Sequence, residues 1–215
     1  MHSLNQWASW LAAAVIVVFA RFVTAVRGIW HGIEPDQTQR VYFANHSSHG
    51  DFVLLWTVLP PSIRRRTRPV AGAEYWLSSS LRRFIGCEVF NALLIQRDRE
   101  KREHDPVAQM AQALDAGDSL IVFPEGTRNT SDAALLPFKS GLYHLAMQRP
   151  GVELVPVWIS NLNRVLPKGE VIPIPLICTV TFGSTIHLDA SEDKQAFIAR
   201  AEQALLTLGS VEGES

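Results

Sequence analysis

Two short polar clusters hold the side chains with which this chain could do chemistry. The first, Asn45-His46-Ser47-Ser48-His49-Gly50-Asp51, places an imidazole and a carboxylate five residues apart. An imidazole with an unperturbed pKa of about 6.5 can accept a proton near neutral pH and return it, and Asp51 is the natural group to orient it. On an ideal helix residues five apart point about 140° away from each other, so a turn must bring the pair together. Ser48-His49-Gly50-Asp51 supplies one, reading as an S-x-x-D capping box that opens a helix over Phe52–Leu59. Asp51 thus has a plain helix-capping reading beside the chemical one, and His46 a plain turn reading. The second cluster, Glu125-Gly126-Thr127-Arg128, sets a carboxylate, a pliable backbone, a hydroxyl and a guanidinium within four positions, a combination suited to a bound phosphate. Pro124-Glu125-Gly126 alone is only a turn signal.

These clusters must be carried by something, and each follows a short apolar run. A third cluster, Gln96-Arg97-Asp98-Arg99, does the same. Strands are expected near Val41–Ala44, Pro69–Ala71, Val89–Ile95, Ser119–Phe123, Leu154–Ile159 and Leu176–Phe182, alternating with helical stretches. That alternation predicts an α/β fold with a mostly parallel central sheet flanked by helices. In such sheets the ligand crevice lies beyond the carboxyl ends of the strands, so clusters far apart in sequence can line one site. One helix is well signalled, with Asp105 as N-cap, Pro106 in its first position, Val107, Met110, Ala111 and Leu114 on one face, and Gly117 as its stop. Another is expected over about Ser191–Leu208, and Pro167–Pro175 reads as a Pro-rich loop.

At 215 residues, 47% of them hydrophobic and 19% charged, the chain fits one domain with a sizeable core, and disorder or coiled-coil composition is excluded. Cys87 and Cys178 lie far apart, which excludes a disulfide framework or a zinc module. Residues 1–20 carry no Asp, Glu, Lys or Arg, and Trp7–Ala20 is almost wholly apolar. Fourteen such residues are borderline for a bilayer span, which wants about 20. The start lacks the basic region of a signal peptide and has no good cleavage site, so residues 1–30 are expected to form a retained membrane-associating segment. Trp7, Trp10 and Trp30 bracket it, and Arg21 and Arg27 on its C-terminal side place the following domain in the cytoplasm if it spans. Packing of this helix on the core is the alternative. The main domain is expected over residues 31–208, and residues 209–215 as a flexible tail.

The arrangement of motifs resembles the glycerolipid and lysophospholipid acyltransferases. Asn45-His46-x-Ser48-x-x-Asp51 looks like their first motif, with its HX4D core, and Phe123-Pro124-Glu125-Gly126-Thr127-Arg128 like their third. Leu94-Ile95-Gln96-Arg97 is similar to the second, Leu154-Val155-Pro156-Val157 to the fourth, and Phe138-Lys139-Ser140-Gly141 to the Phe-Lys-x-Gly segment. The resemblance implies an acyltransferase domain that moves a fatty acyl group from a thioester, on coenzyme A or acyl carrier protein, to the free hydroxyl of a lysophospholipid. Lysophosphatidate is the commonest such acceptor. By the same resemblance His46 deprotonates the hydroxyl and Asp51 orients the imidazole, with no serine nucleophile, no cofactor and no metal. Arg97, Gly126, Thr127 and Arg128 hold the acceptor's phosphate, Lys139 is a weaker phosphate ligand, and Glu125 binds or orients the polar head. His49 is an addition of unassigned role.

Two rivals stand beside this reading. His46, His49 and Asp51 could supply nitrogen and oxygen ligands to zinc in a metal-dependent hydrolase. A non-enzymatic basic module is the other. Residues 1–103 carry 13 Lys/Arg against 8 Asp/Glu, and residues 104–215 carry 7 against 13. Arg64, Arg65, Arg66 and Arg68 form the densest basic run, suited to anionic lipid headgroups or an acidic donor carrier beside the site. A nucleic-acid module would leave His46, Asp51 and Glu125 without a job, so nucleic acid is not an expected partner. A G-x-S-x-G elbow and a Gly-rich nucleotide loop are both absent from the sequence.

Overall fold

The computed structural model describes residues 2–98, 100, 104–160 and 178–213. Its strands are β1 (Arg27–Trp30), β2 (Arg40–Ala44), β3 (Thr67–Gly72), β4 (Leu93–Ile95), β5 (Ser119–Val122), β6 (Glu153–Ser160) and β7 (Thr179–Phe182). They form one sheet in the order β1-β7-β6-β2-β5-β3-β4, parallel throughout except for the β6–β7 pair. The α/β expectation with a mostly parallel sheet is therefore met.

β2 shows why the sheet sits at the centre. All of its residues are buried, and because successive side chains of a strand point to opposite faces, the strand feeds two cores. Val41 and Phe43 pack with helices α6 (Pro106–Asp115), α7 (Gly141–Gln148) and α8 (Lys194–Gly213). Tyr42 and Ala44 join the opposite core with α2 (Asp51–Val58) and part of α1 (His2–Thr24). The short helices α3 (Pro61–Arg64), α4 (Ala73–Trp76) and α5 (Ser80–Arg83) lie between α2 and β4 in the chain. A continuous apolar run is what a strand covered on both faces requires. The predicted α6 has its expected ends, with the Asp105 carboxylate accepting from the Val107 and Ala108 N–H groups and Gly117 at φ +85° just beyond it.

Several boundaries differ from expectation. Only Leu93–Ile95 of the expected 89–95 strand is extended, because Phe84–Val89 forms a π-helical turn and Asn91 takes φ +49°. That turn packs through Gly86, where a Cβ would come within 2.8 Å of the Trp76 ring. β1 carries no apolar run and was not expected; it pairs with β7, and Trp30 stacks on Phe182 at 3.8 Å. α8 runs past Leu208 to Gly213, so the expected tail at 209–215 is helical over its described part. Gly209 lies against the Trp158 ring, where a Cβ would come within 2.7 Å, and that packing carries the helix on. Leu176 and the Pro167–Pro175 loop lie outside the described residues.

α1 combines both readings of the N-terminal segment. Ala13, Ile16, Val17 and Val23 pack against the core and Ala20 is buried, at helical spacing. Trp7, Trp10, Leu11, Val15, Val18, Phe19 and Phe22 remain exposed, Phe22 at 86%. Gln6–Thr24 is long and apolar enough to cross a membrane by length and composition, and an outward apolar face of this size is a weak indication of membrane association.

Candidate active site

The central strands β2 and β5 are neighbours in register, with Phe43 opposite Val122. The loops that leave them therefore emerge side by side at the carboxyl edge of the sheet. Gly72 of β3 stands opposite Ile95 of β4 at the same edge, so the loop that carries Gln96 and Arg97 leaves from that edge too.

In the first loop, His46 Nδ1 lies 2.9 Å from Asp51 Oδ2. The same oxygen accepts the backbone N–H groups of Ser47 at 2.7 Å and Ser48 at 2.8 Å. A carboxylate oxygen that takes two N–H donors acts as an acceptor, so His46 donates from Nδ1, and Nε2 is the nitrogen with a lone pair for an incoming proton. Asp51 is fully buried while His46 keeps 14% of its side chain exposed. Asp51 Oδ1 has no hydrogen-bond partner among the described residues, which leaves Oδ2 to carry the whole network. The expected capping box forms by halves. Asp51 reaches back to the Ser48 N–H, but the Ser48 hydroxyl accepts from Gly50 and the N-cap position belongs to Gly50. The capping and orienting readings of Asp51 thus hold together.

The second loop grips the first. Glu125 Oε1 accepts the His46 N–H at 2.7 Å and its Oε2 accepts the Leu136 N–H at 2.8 Å. Asn129 donates its N–H to the His46 carbonyl at 2.6 Å, so the backbone of His46 is held on both sides by residues 125–129. Phe123 stacks on the imidazole with ring centroids 4.2 Å apart. Asn45 closes the other flank, its side-chain amide exchanging two hydrogen bonds with Ile159 of β6, at 3.0 and 2.8 Å. Burial pushes the Glu125 carboxyl above the usual range, against the opposing pull of the Leu136 and His46 N–H groups. At 2% exposure with both oxygens engaged on backbone N–H groups, this carboxylate is built into the loop.

The cationic candidates lie on the loops at the same edge of the sheet. Gly126 takes φ +70°, and a Cβ there would meet the Lys139 side chain at 2.6 Å, so Lys139 lies directly across the turn. Thr127 and Arg128 are exposed at its tip. Arg97, also exposed, follows β4, and its N–H donates to Glu74 at the start of the short helix α4 (Ala73–Trp76). His49 stacks on Tyr75 at 5.8 Å, and Arg82 covers that same ring. Burial and then the nearby Arg128 charge hold the His49 imidazole below its ordinary pKa. Among the described residues no three His, Cys, Asp or Glu side chains converge as metal ligands, and His46 Nδ1 is committed to Asp51. The His46, His49 and Asp51 ligand set for a hydrolase is therefore not assembled.

The arginine run is not beside the site. Arg66 precedes β3, and Arg68 bonds the Asn91 carbonyl and pairs with Asp118, both at the opposite ends of the strands. Arg66 donates to the Gly117 carbonyl. Arg64 closes the C-terminus of α2 by donating to the Thr57 and Leu59 carbonyls, each at 2.8 Å, with its guanidinium over Trp56. Arg64→Gln should accordingly lower stability by about 1–2 kcal/mol, read by urea unfolding. An unchanged midpoint would mean that the cap is worth nothing.

Sequence reasoning missed Asn45, Phe123, Asn129 and Glu74 as parts of the site. Asn45 and Phe123 lie in the motif strings themselves, whereas the contacts of Asn129 and Glu74 depend on which strands are neighbours.

Comparison with known proteins bears on the family and the fold. The model of a family described as Acyltransferase matches residues 30–160. A 1-acyl-sn-glycerol-3-phosphate acyltransferase of Haemophilus influenzae is 30% identical over 158 residues, 66% of this chain. The human 1-acyl-sn-glycerol-3-phosphate acyltransferase alpha is 35% identical over 147 residues, 67% of this chain. The matches span 60% and 48% of those two relatives' own lengths. The crystal structure of the 1-acyl-sn-glycerophosphate acyltransferase PlsC from Thermotoga maritima shares the fold, with a TM-score of 0.70 at 19% identity, covering 98% of this chain and 88% of that one. The family match takes in β2 to β6 and every loop that closes on His46, and on that extent the chain belongs to the acyltransferase family.

Proposed function

We propose that this protein transfers a fatty acyl group from a thioester, on coenzyme A or acyl carrier protein, to the free hydroxyl of 1-acylglycerol-3-phosphate, giving phosphatidate. The observation that carries the reading is the His46–Asp51 pair at 2.9 Å, aimed by a loop whose backbone is fixed on both sides. An alcohol has a pKa far above neutrality and needs a base at the moment of attack. His46 Nε2 takes the hydroxyl proton as that oxygen attacks the thioester carbonyl. The tetrahedral oxyanion then collapses, the carbon–sulfur bond breaks, and the imidazolium returns the proton to the departing sulfur. Asp51 fixes the tautomer and balances the transient imidazolium charge.

Arg97, Gly126, Thr127, Arg128 and Lys139 form the proposed phosphate site. Arginine suits it because guanidinium pairs bidentately with phosphate. Glu125 acts by holding His46 in place. α1 lies against the domain on one face and puts its exposed apolar face into one leaflet, as interfacial helices do, with the basic flank of Arg21 and Arg27 favouring the cytoplasmic side. The acceptor test uses detergent-purified protein, palmitoyl-coenzyme A and a panel of lysophosphatidate, lysophosphatidylcholine, lysophosphatidylethanolamine and lysophosphatidylglycerol, with products weighed by mass spectrometry. Phosphatidate should dominate. A dominant product from another lysolipid would move the acceptor assignment while leaving the chemistry.

A further inference from the structure

Gly72 closes β3 with φ −71° and ψ 127°, an extended conformation open to any residue. Its lack of a side chain therefore serves space and not backbone freedom. A Cβ built there would come within 2.7 Å of Glu74 Oε2, 2.9 Å of Arg97 Nε and 3.2 Å of Arg97 Cζ. The Glu74 carboxylate and the Arg97 guanidinium both pass over the one spot left open by this glycine. Glu74 also anchors the backbone of the arginine, since its Oε1 accepts the Arg97 N–H at 2.9 Å. Gly72 ends β3, Glu74 lies in the short helix that follows it and Arg97 in the loop after β4, so the pairing of β3 with β4, Gly72 opposite Ile95, creates this juxtaposition.

We propose that Glu74 is a positioning residue for Arg97, and that Gly72 provides the opening through which the guanidinium reaches the phosphate of the acceptor. The inference rests on the proposed role of Arg97 as a phosphate ligand. An arginine side chain has many rotamers, and a ligand that fixes one of them loses affinity to the freedom it freezes. A carboxylate that fixes the backbone at Arg97 and borders the path of its side chain removes part of the cost before the lipid arrives, which is how preorganisation raises affinity. The benefit falls on binding of the phosphate-bearing acceptor. Glu74 touches neither the thioester nor the reacting hydroxyl.

The test is steady-state kinetics of Glu74→Ala, Glu74→Gln, Gly72→Ala and Arg97→Ala with lysophosphatidate and palmitoyl-coenzyme A. Glu74→Ala should raise KM for lysophosphatidate about tenfold, with kcat and the KM for the thioester within about twofold of wild type. Glu74→Gln retains an acceptor oxygen for the Arg97 N–H and should stay within about threefold. Gly72→Ala meets only the ends of two flexible side chains, so the protein should fold, and it should reproduce the rise in KM. In an Arg97→Ala background the Glu74→Ala effect should vanish, as expected for residues that act through one another. If Arg97→Ala raises KM while Glu74→Ala does not, the positioning role is wrong and the phosphate role stands. If Arg97→Ala leaves KM unchanged, the phosphate assignment fails and this inference fails with it.

Discussion

His46→Ala should lower the rate of acyl transfer to lysophosphatidate by about 10² to 10⁴-fold, the usual worth of a positioned general base. The loss should fall on kcat, because the imidazole is proposed to act on the reacting proton while the phosphate is held by other groups. The fold should survive. The loop keeps its shape through the backbone of residue 46, which bonds Glu125 and Asn129, and through Asp51 on the Ser47 and Ser48 N–H groups. Alanine preserves all of these and removes only the ring, its stack on Phe123 and the bond to Asp51. A circular dichroism spectrum like that of wild type beside lost turnover is the expected pair of results. Turnover within tenfold of wild type would remove His46 from the mechanism.

Glu125→Gln is the second large effect and differs in kind. Both Glu125 oxygens accept backbone N–H groups, from His46 and Leu136. An amide offers one oxygen and one NH₂, so one of those N–H groups would face a donor. Leaving a buried group unsatisfied costs about 1–3 kcal/mol, and the displaced segment carries His46. Both stability and kcat should fall, while KM for lysophosphatidate changes little, a pattern opposite to that of a head-group ligand. The pH dependence adds a check. Burial raises the Glu125 pKa above its unfolded value, so its contribution to stability is full below the ordinary glutamate range and is lost as pH climbs through the raised value. Gln lacks this slope, and the stability gap between variant and wild type should therefore narrow as pH rises across that window. A gap that widens instead would contradict the burial argument.

How much of this was legible in sequence follows from the range of each interaction. The base and its partner could be read because their turn is local: Ser48 to Asp51 folds back on itself, and five residues suffice to bring the two groups together. The central strands could be read because a run such as Val41–Ala44, buried on both faces, has to be apolar throughout. β1 escaped because Arg27-Gly28-Ile29-Trp30 has no such run and owes its pairing to β7, far along the chain. The contacts of Glu125 and Arg64 could not be read in sequence, for two different reasons. Glu125 meets the His46 N–H across 79 positions, which only the sheet order brings together, whereas Arg64 closes α2 from within seven residues through a side-chain path that the sequence pattern does not specify. α1 was expected at a membrane, with packing on the core as the alternative, because its composition is apolar nearly all round, and the folded chain gives each reading one face.

The measurement that bears most directly on the central claim is thiol release from palmitoyl-coenzyme A by the detergent-purified full chain. It should be run with and without lysophosphatidate, beside His46→Ala, with the lipid product quantified by mass. Acyl transfer predicts release that depends on both the acceptor and His46, with one phosphatidate formed for each thiol freed. Release at the same rate without any acceptor, with free fatty acid and no new lipid ester, would make the enzyme a thioester hydrolase and contradict the account.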